Sequence, residues 1–478
     1  MAEEAAGRPR TGVFIAGVLG LYAAAIAIAP SPVAALALAA PLVILPLGWW
    51  IISAPARWVV LFLCAALLLP PLPVRLGDSG PHAAVLIAAL GLLVGTIRLP
   101  EWRLRADLLT SASLLYLVIL CASVAVAALY SGAAIAAGTL ARVVLFAISV
   151  YVLFYTAYGP GANSDSGDER RALKFVYAAA AISAAFAVVD FYFQFPAPAG
   201  FGQQFVWLPA GVFRRAQGTF YDAMALGNLC AFFLTMIAAS LFEPKSRRFL
   251  SRPALATGGV VFAGALILSF SRAALLNLAV AILVLAVLHR SRLRLGRIAA
   301  VAVIALCASL VVALALPSFA ELYWGRLLGT ATFFFSAPET VLSGRADTWR
   351  ALGRFLVDHP AAWFFGVGYK TLPYSTAAGQ PLMVDNTYLS TFAETGLAGL
   401  LALGLFVLSI LRAGLRAARS PDPRASFFGT CIFAFWVGQL FQMMSGDVLT
   451  YWRVLPVYFW ILGMTQRGSA VMNDNPVS

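Results

Sequence analysis

The stretch "MVDNTYLSTFAETGLAG", Met383 to Gly399, decides the fold. Its first half is polar and places two helix-capping residue types, Asp385 and Asn386, side by side. Within a few residues the chain becomes apolar and stays so over 389–411. At about 1.5 Å of rise per residue, such a run matches a hydrocarbon core of about 30 Å. The segment therefore passes from an aqueous loop into a membrane helix that begins near Thr387, with Glu394 about two turns inside it.

Working outward, the same pattern recurs along the chain. Of 478 residues, 62% are hydrophobic and 11% charged, and the mean hydropathy is +0.88. The composition predicts an all-α polytopic membrane protein. Apolar runs fall near 11–29, 33–52, 57–70, 82–97, 107–130, 133–157 and 172–193, then 220–242, 254–270, 272–289, 297–316, 389–411, 427–443 and 448–465. This gives about 12–14 spans, the third short and Pro-rich enough to be re-entrant. The first run lacks a cleavage site and reads as a span rather than a signal peptide. Four regions result: helices over 1–193, helices with an arginine-bearing loop over 194–316, a large loop over 317–388, and helices with a short tail over 389–478. The cysteines Cys64, Cys121, Cys230, Cys307 and Cys431 all lie in apolar runs and read as small packing residues.

The net charge of +13 finds its explanation in topology. With the N-terminus in the cytoplasm, alternate segments hold 22 of the 33 Lys and Arg on the cytoplasmic side and 9 outside, with Arg142 and Arg453 inside spans. That bias is the positive-inside rule, and it accounts for a basic chain without nucleic acid. Three features then share the external face: the loop "QFPAPAGFGQQFVWLPAGVFRRAQGT" (194–219), the break "SFSR" (269–272), and the loop from 317 to 388. Within the last, "GRADTWRALGRFLVDHP" (344–360) spaces Trp349, Leu352, Phe355 and Leu356 as one face of an amphipathic surface helix.

Arg214, Arg215 and Arg272 stand at external helix or loop ends. Each could be a snorkelling anchor, but such anchors belong mostly on the cytoplasmic side, and a cluster outside suits a phosphate or pyrophosphate. Arg345 joins them from the surface helix. Of Asp385 and Asn386, a cap explains one and leaves the other for chemistry, a carboxylate there suiting a general base on a sugar hydroxyl. Glu394 is a candidate because ionisable groups inside spans are costly, with a hydrogen bond to a neighbouring helix as the plain alternative. Arg142 lies deep enough to need Asp190 or another acid within the membrane as a partner, or else a polar cavity to reach; Arg453 and Asp447 read as a pair. His359 is the histidine nearest these candidates. The chain has no phosphate loop of the GxxxxGKS/T type and no His/Cys/Asp cluster at metal spacing, so neither ATP hydrolysis nor a metal site is expected.

Taken in order, "RRAQGTFYDAMALGN" (214–228), "SFSRAALL" (269–276), "SGRADTW" (343–349) with "DHPAAWFFGVGY" (358–369), and "VDNTYLSTFAETGLAG" (384–399) resemble the O-antigen ligase/polymerase family of bacterial envelope glycosyltransferases. The resemblance covers roughly 205–445. It implies a GT-C-like multi-pass protein of the inner membrane with a large periplasmic loop containing short helices. It also implies transfer of an oligosaccharide from an undecaprenyl-pyrophosphate carrier, with no metal or nucleotide cofactor. The acceptor would be a glycan or glycolipid among membrane lipids, and a polymerase would work beside a chain-length regulator. By the same resemblance, Arg214 or Arg215, together with Arg272, would hold the pyrophosphate, and Asn386 and Tyr388 would place the sugar. Ligases of the family carry His before the Asn of this last motif; here the residue is Asp385, which tilts the expectation toward a repeat-unit polymerase. A lipid-linked oligosaccharide flippase would need charges along a passage open to both faces, and a secondary transporter would show two related halves; the sequence shows neither.

Overall fold

The computed structural model describes residues 48–72 apart from 55, 81–160, 166–197, 202–208, 211–244, 248–290, 345–375 and 381–473, with isolated positions between 20 and 46 and between 321 and 332. The expected span over 297–316 and most of 11–29, 33–52 and the loop from 317 to 344 lie outside those residues.

The described chain is helical apart from one hairpin. α1 (Arg57–Leu68) and α2 (Ala83–Ile97) precede α3 (Leu108–Ser131), α4 (Ala133–Tyr158) and α5 (Ser166–Phe193). The strands β1 (Phe205–Leu208) and β2 (Gly211–Arg214) follow, then α6 (Ala223–Phe242), α7 (Arg252–Leu268) and α8 (Arg272–Leu288). After them come α9 (Arg345–Asp358), α10 (Ala362–Phe365), α11 (Thr387–Ala418), α12 (Pro423–Gln442) and α13 (Leu455–Asn473). By length and composition, six of the described helices can cross a membrane: α3, α4, α5, α6, α11 and α12. The all-α polytopic expectation holds. Outward positions such as Leu86, Val118, Leu129, Val260 and Leu283 are more than half exposed, a surface suited to lipid rather than water.

Helix ends sort cleanly onto two faces. On one, Ser131 Oγ donates to Ser375 Oγ, Ala216 N to Leu268 O, Thr387 N to Met443 O and Arg453 Nε to Ala66 O. On the other, Arg98 reaches Ile52 O, Arg103 N reaches Tyr158 O and Arg467 bonds Thr156 O and pairs with Glu169. These contacts gather helix ends at two opposite ends of the described bundle. The arginine-bearing breaks and Asp385 share the first face.

Aromatic rings fill the centre. Phe406 of α11 stacks on Tyr116 of α3 at 5.8 Å and meets Phe146 of α4 and Phe459 of α13 edge-on. Among α6, α8, α12 and α13 lies a second kind of core, made of amides. Gln439 Oε1 accepts from Asn228 at 2.8 Å and Asn277 at 2.7 Å, and Gln442 Oε1 accepts from both at 2.9 Å. Tyr458 donates to Asn228 at 2.6 Å. None of these residues is more than 1% exposed.

α11 is broken rather than continuous. Gly396 adopts φ 70°, outside the helical region, and the carbonyls left over accept from Val367 N and Gly368 N at 3.2 and 2.9 Å (Ala393 O and Glu394 O). The two segments cross so closely that a Cβ on Gly396 would lie 2.1 Å from Phe364 O, and one on Gly366, also at positive φ, 2.2 Å from Glu394 O. Glycine is required at both. The first two turns thus form a short helix at the first face, and the apolar crossing of roughly 33 Å begins after Gly396. Glu394 belongs to the short helix, not to the membrane interior expected from its place in the apolar run.

α9 is the amphipathic helix expected from spacing. Leu352, Phe355 and Leu356 are buried, with Trp349 partly so, against Val367, Leu372, Leu382, Val384 and Ala393. This small second core holds α9 over the break in α11.

Candidate functional site

Two adjacent arginines meet opposite fates because strand side chains alternate. β1 and β2 pair antiparallel, Phe205 opposite Arg214. Arg214 points inward and makes a buried ion pair with Asp190 of α5 at 3.0 Å, and also donates to Phe195 O. The next residue, Arg215, leaves the strand and donates Nε to Ser269 O at 2.8 Å. Asp190 is therefore taken by Arg214, and Arg142 meets the other expectation for it by reaching a polar cavity. Removing one member of such a pair strands the other's charge, which marks Arg214 as an anchor of the hairpin.

The "SFSR" break is a tight helix–helix turn. Ser269 closes α7, Phe270 takes a left-handed φ of 52°, and Ser271 caps α8 by accepting from Ala274 N. Arg272 is then the first residue of α8, at the end where the helix dipole favours anions. Arg345, first residue of α9, lies within electrostatic range of both Arg215 and Arg272. Burial pulls the Arg215 guanidinium below its ordinary range, and Asp222 is the largest opposing influence, with Asp385 contributing too. Arg215, Arg272 and Arg345 thus form one positive group on the first face.

The Asp385–Asn386 pair divides its labour. Asn386 Oδ1 accepts from Tyr388 N and Leu389 N, both at 3.0 Å, and is the cap of α11. Asp385 receives Arg345 Nε and Nη2 on one oxygen at 3.2 and 3.1 Å, and its side chain is 48% exposed. Tyr388 donates its hydroxyl to Leu440 O at 3.0 Å, tying α11 to α12.

Beside Asp385 opens a cavity of about 300 Å³ lined by Asp385, Arg142, Lys370, Tyr374, Asp447 and Trp452 among others. Glu394 is on its floor, 1% exposed, 3.3 Å from Lys370 Nζ. Lys370 also contacts Asp447 and donates to Ser390 at 3.2 Å, while Ser390 donates to Asp447 at 3.1 Å. Burial lowers the Lys370 ammonium's tendency to hold its proton, and Glu394 restores most directly what burial removes. Arg142 packs its guanidinium over the Tyr374 ring at 4.3 Å and approaches Lys370 O.

The structure therefore gathers Arg215, Arg272, Arg345, Asp385 and Glu394 at one face, with Asn386 and Tyr388 supporting them. Arg214 turns away from that group. His359 lies apart from the cavity, bonded to Phe355 O and stacked on the Phe355 ring at 4.5 Å. Asp447 belongs with Lys370 rather than with Arg453, which donates to Ala66 O, Thr219 O and Leu69 O. The sequence offered Asp447 as a partner for Arg453 and singled out no role for Lys370. Lys370 left one signal: a cation on the face that the charge bias depletes. Tyr451 was also missed; its hydroxyl is buried with no hydrogen-bond partner among the described residues, within range of Asp222, Asp385, Arg215 and Arg345. Among the described residues, no group of three His, Cys, Asp or Glu could hold a metal ion.

Comparison with known proteins gives one family match: residues 257–404 fit the family model described as O-antigen ligase. That span contains the "SFSR" turn, Arg345, Lys370, Asp385 and the broken helix; Arg142, the hairpin arginines and Asp447 lie outside it. No curated protein matches the chain.

Proposed function

Because residues 257–404 match the O-antigen ligase family model, we propose that the chain is a periplasmic-face glycosyltransferase of the bacterial inner membrane. It moves an oligosaccharide from an undecaprenyl-pyrophosphate carrier to a sugar hydroxyl, most simply as a repeat-unit polymerase. The observation that carries this reading is the gathering of Arg215, Arg272 and Arg345 beside the carboxylate of Asp385, at the face where charge bias depletes cations.

In the proposed reaction the acceptor oxygen attacks the anomeric carbon, and the bond from that carbon to the pyrophosphate oxygen breaks. The bonding electrons leave with the pyrophosphate, whose growing charge meets three guanidinium groups and the N-terminus of α8. Asp385 takes the proton released by the acceptor hydroxyl. Its engagement by Arg345 through one oxygen fixes the carboxylate between the arginines and the cavity. Arg214 contributes by holding the hairpin from which Arg215 emerges. Asp385, standing where ligases of the family carry His, supports polymerisation over ligation to lipid A-core.

The test is purified full-length protein in lipid nanodiscs supplied with the host's lipid-linked repeat unit. Longer lipid-linked glycans are expected. Product on lipid A-core alone would replace polymerase by ligase. Unchanged lipid-linked donor, together with its transfer across the bilayer of proteoliposomes, would replace the enzyme by a flippase.

A further inference from the structure

The cavity beside Asp385 differs in chemistry from the arginine group across it. The arginine side is cationic and suits a doubly charged leaving group. The cavity side is not cationic: its lining sets Arg142 and Lys370 against Asp385, Glu394 and Asp447, and Arg345 pairs with Asp385 from outside that lining. A cavity with paired charges has no net attraction for an anion, and an unpaired charge brought into it would be costly. What it does offer is hydrogen-bonding groups between two aromatic side chains.

Those aromatics are held in place. The Tyr374 ring is fixed on one side by the Arg142 guanidinium at 4.3 Å, yet the residue stays 43% exposed. Trp452, across the cavity lining, meets the ring of His82 edge-on at 5.2 Å. His82 in turn caps α2 and bonds Leu69 O, so the indole rests on an anchored element. Below the rings, Lys370, Ser390 and Asp447 form a connected polar floor. At about 300 Å³ the space is at the small end for ligand pockets. It suits one sugar ring rather than an oligosaccharide. A pyranose has apolar C–H faces that pack on aromatic rings and a rim of hydroxyls that both donate and accept, which is the complement of this lining.

We propose that this cavity is the subsite for the terminal, uncharged pyranose of the acceptor glycan. Tyr374 and Trp452 contact its faces, and the Asp447–Lys370 pair binds its hydroxyls and sets which epimer fits. The inference rests on the glycosyl-transfer reading and adds to it a substrate class, a neutral hexose or N-acetylhexosamine at the acceptor end. It also assigns a specificity role to residues from two separate segments of the chain, 370–374 and 447–452.

Saturation-transfer NMR on the detergent-purified full chain tests it. The probes are methyl glycosides of glucose, galactose, mannose and their N-acetylated amino sugars, with the matching methyl uronides. At least one neutral glycoside should receive saturation from the wild type, and the uronides should not. Trp452→Ala and Asp447→Asn should each weaken that signal tenfold or more, while Asp447→Glu should restore part of it. Thermal unfolding of each variant confirms the fold; should Trp452→Ala fail to fold, the isosteric Asp447→Asn decides. Absence of binding by every neutral glycoside, equal binding of the uronides, or undiminished binding in folded Asp447→Asn would overturn the inference. In the separate nanodisc assay, a wild type that consumes no lipid-linked donor would overturn the transfer reading instead, so the two failures are distinguishable.

Discussion

Two buried polar clusters lie within this helix bundle and differ in kind. The amide cluster of Asn228, Asn277, Gln439, Gln442 and Tyr458 is neutral, almost wholly shielded, and its bonds close on one another. The cluster around Lys370, Glu394, Asp447 and Asp385 is charged, lies at the face bearing the arginines, and opens onto a cavity. In a low-dielectric interior a polar group is costly unless satisfied. The first cluster bonds to itself and so registers four helices against one another, with only Asn277 Oδ1 and Gln442 Nε2 of its members among the buried atoms without a partner in the described residues. The second spends part of its hydrogen-bonding capacity on an open space, which is the arrangement a ligand completes. Polarity inside a membrane bundle is therefore no marker of function by itself; charge, cavity and a shared face together are.

The largest expected break in this comparison is on activity. Arg272→Ala should lower glycan transfer by at least about 100-fold, as loss of a charge-stabilising donor does elsewhere, with the thermal unfolding midpoint unchanged. Equal turnover per molecule would remove Arg272 from the site. Next, Lys370→Met leaves Glu394 and Asp447 facing each other without their cation. A loss of about 3–5 kcal/mol in denaturant unfolding is expected for breaking a buried pair; a stability like the wild type's would mean that the two acids are compensated elsewhere. Asn277→Leu removes one of the two donors to each glutamine, and a smaller loss of about 1–3 kcal/mol should follow. Turnover per folded molecule should then stay close to normal, and a selective collapse of transfer would blur the division between the clusters. Smallest of all, Tyr451→Phe deletes a buried hydroxyl that has no partner among the described residues. Stability should be unchanged or higher by about 1 kcal/mol or less; a clear destabilisation would show that the hydroxyl is bonded.

Much of this division was readable in the residues, though unevenly. The cap at Asp385–Asn386, the "SFSR" turn and the apolar face of α9 all follow from local pattern, and all are present. The fate of Arg214 against Arg215 was not readable, because it depends on the register of a hairpin whose strands are four residues each. Nor was the site's second half. Arg142, Lys370 and Asp447 come from α4, the loop after α10 and the turn after α12, and only the packing of 366–375 across the α3–α4 turn brings them together. Gly396 looked like an ordinary small residue in an apolar helix. Its break is imposed by the close crossing of Gly366, a contact between segments thirty positions apart that local periodicity does not encode.

Glycosyl transfer is assigned to the arginine face and not to the amide core. Release of undecaprenyl pyrophosphate from the lipid-linked repeat unit, followed for purified wild type, Arg272→Ala and Asn277→Leu in the same nanodiscs, tests it most directly. The prediction is one carrier released per glycan transferred by the wild type, at least about 100-fold less by Arg272→Ala, and a rate per folded molecule near the wild type's for Asn277→Leu. No release by the wild type, or equal release by Arg272→Ala, would contradict it.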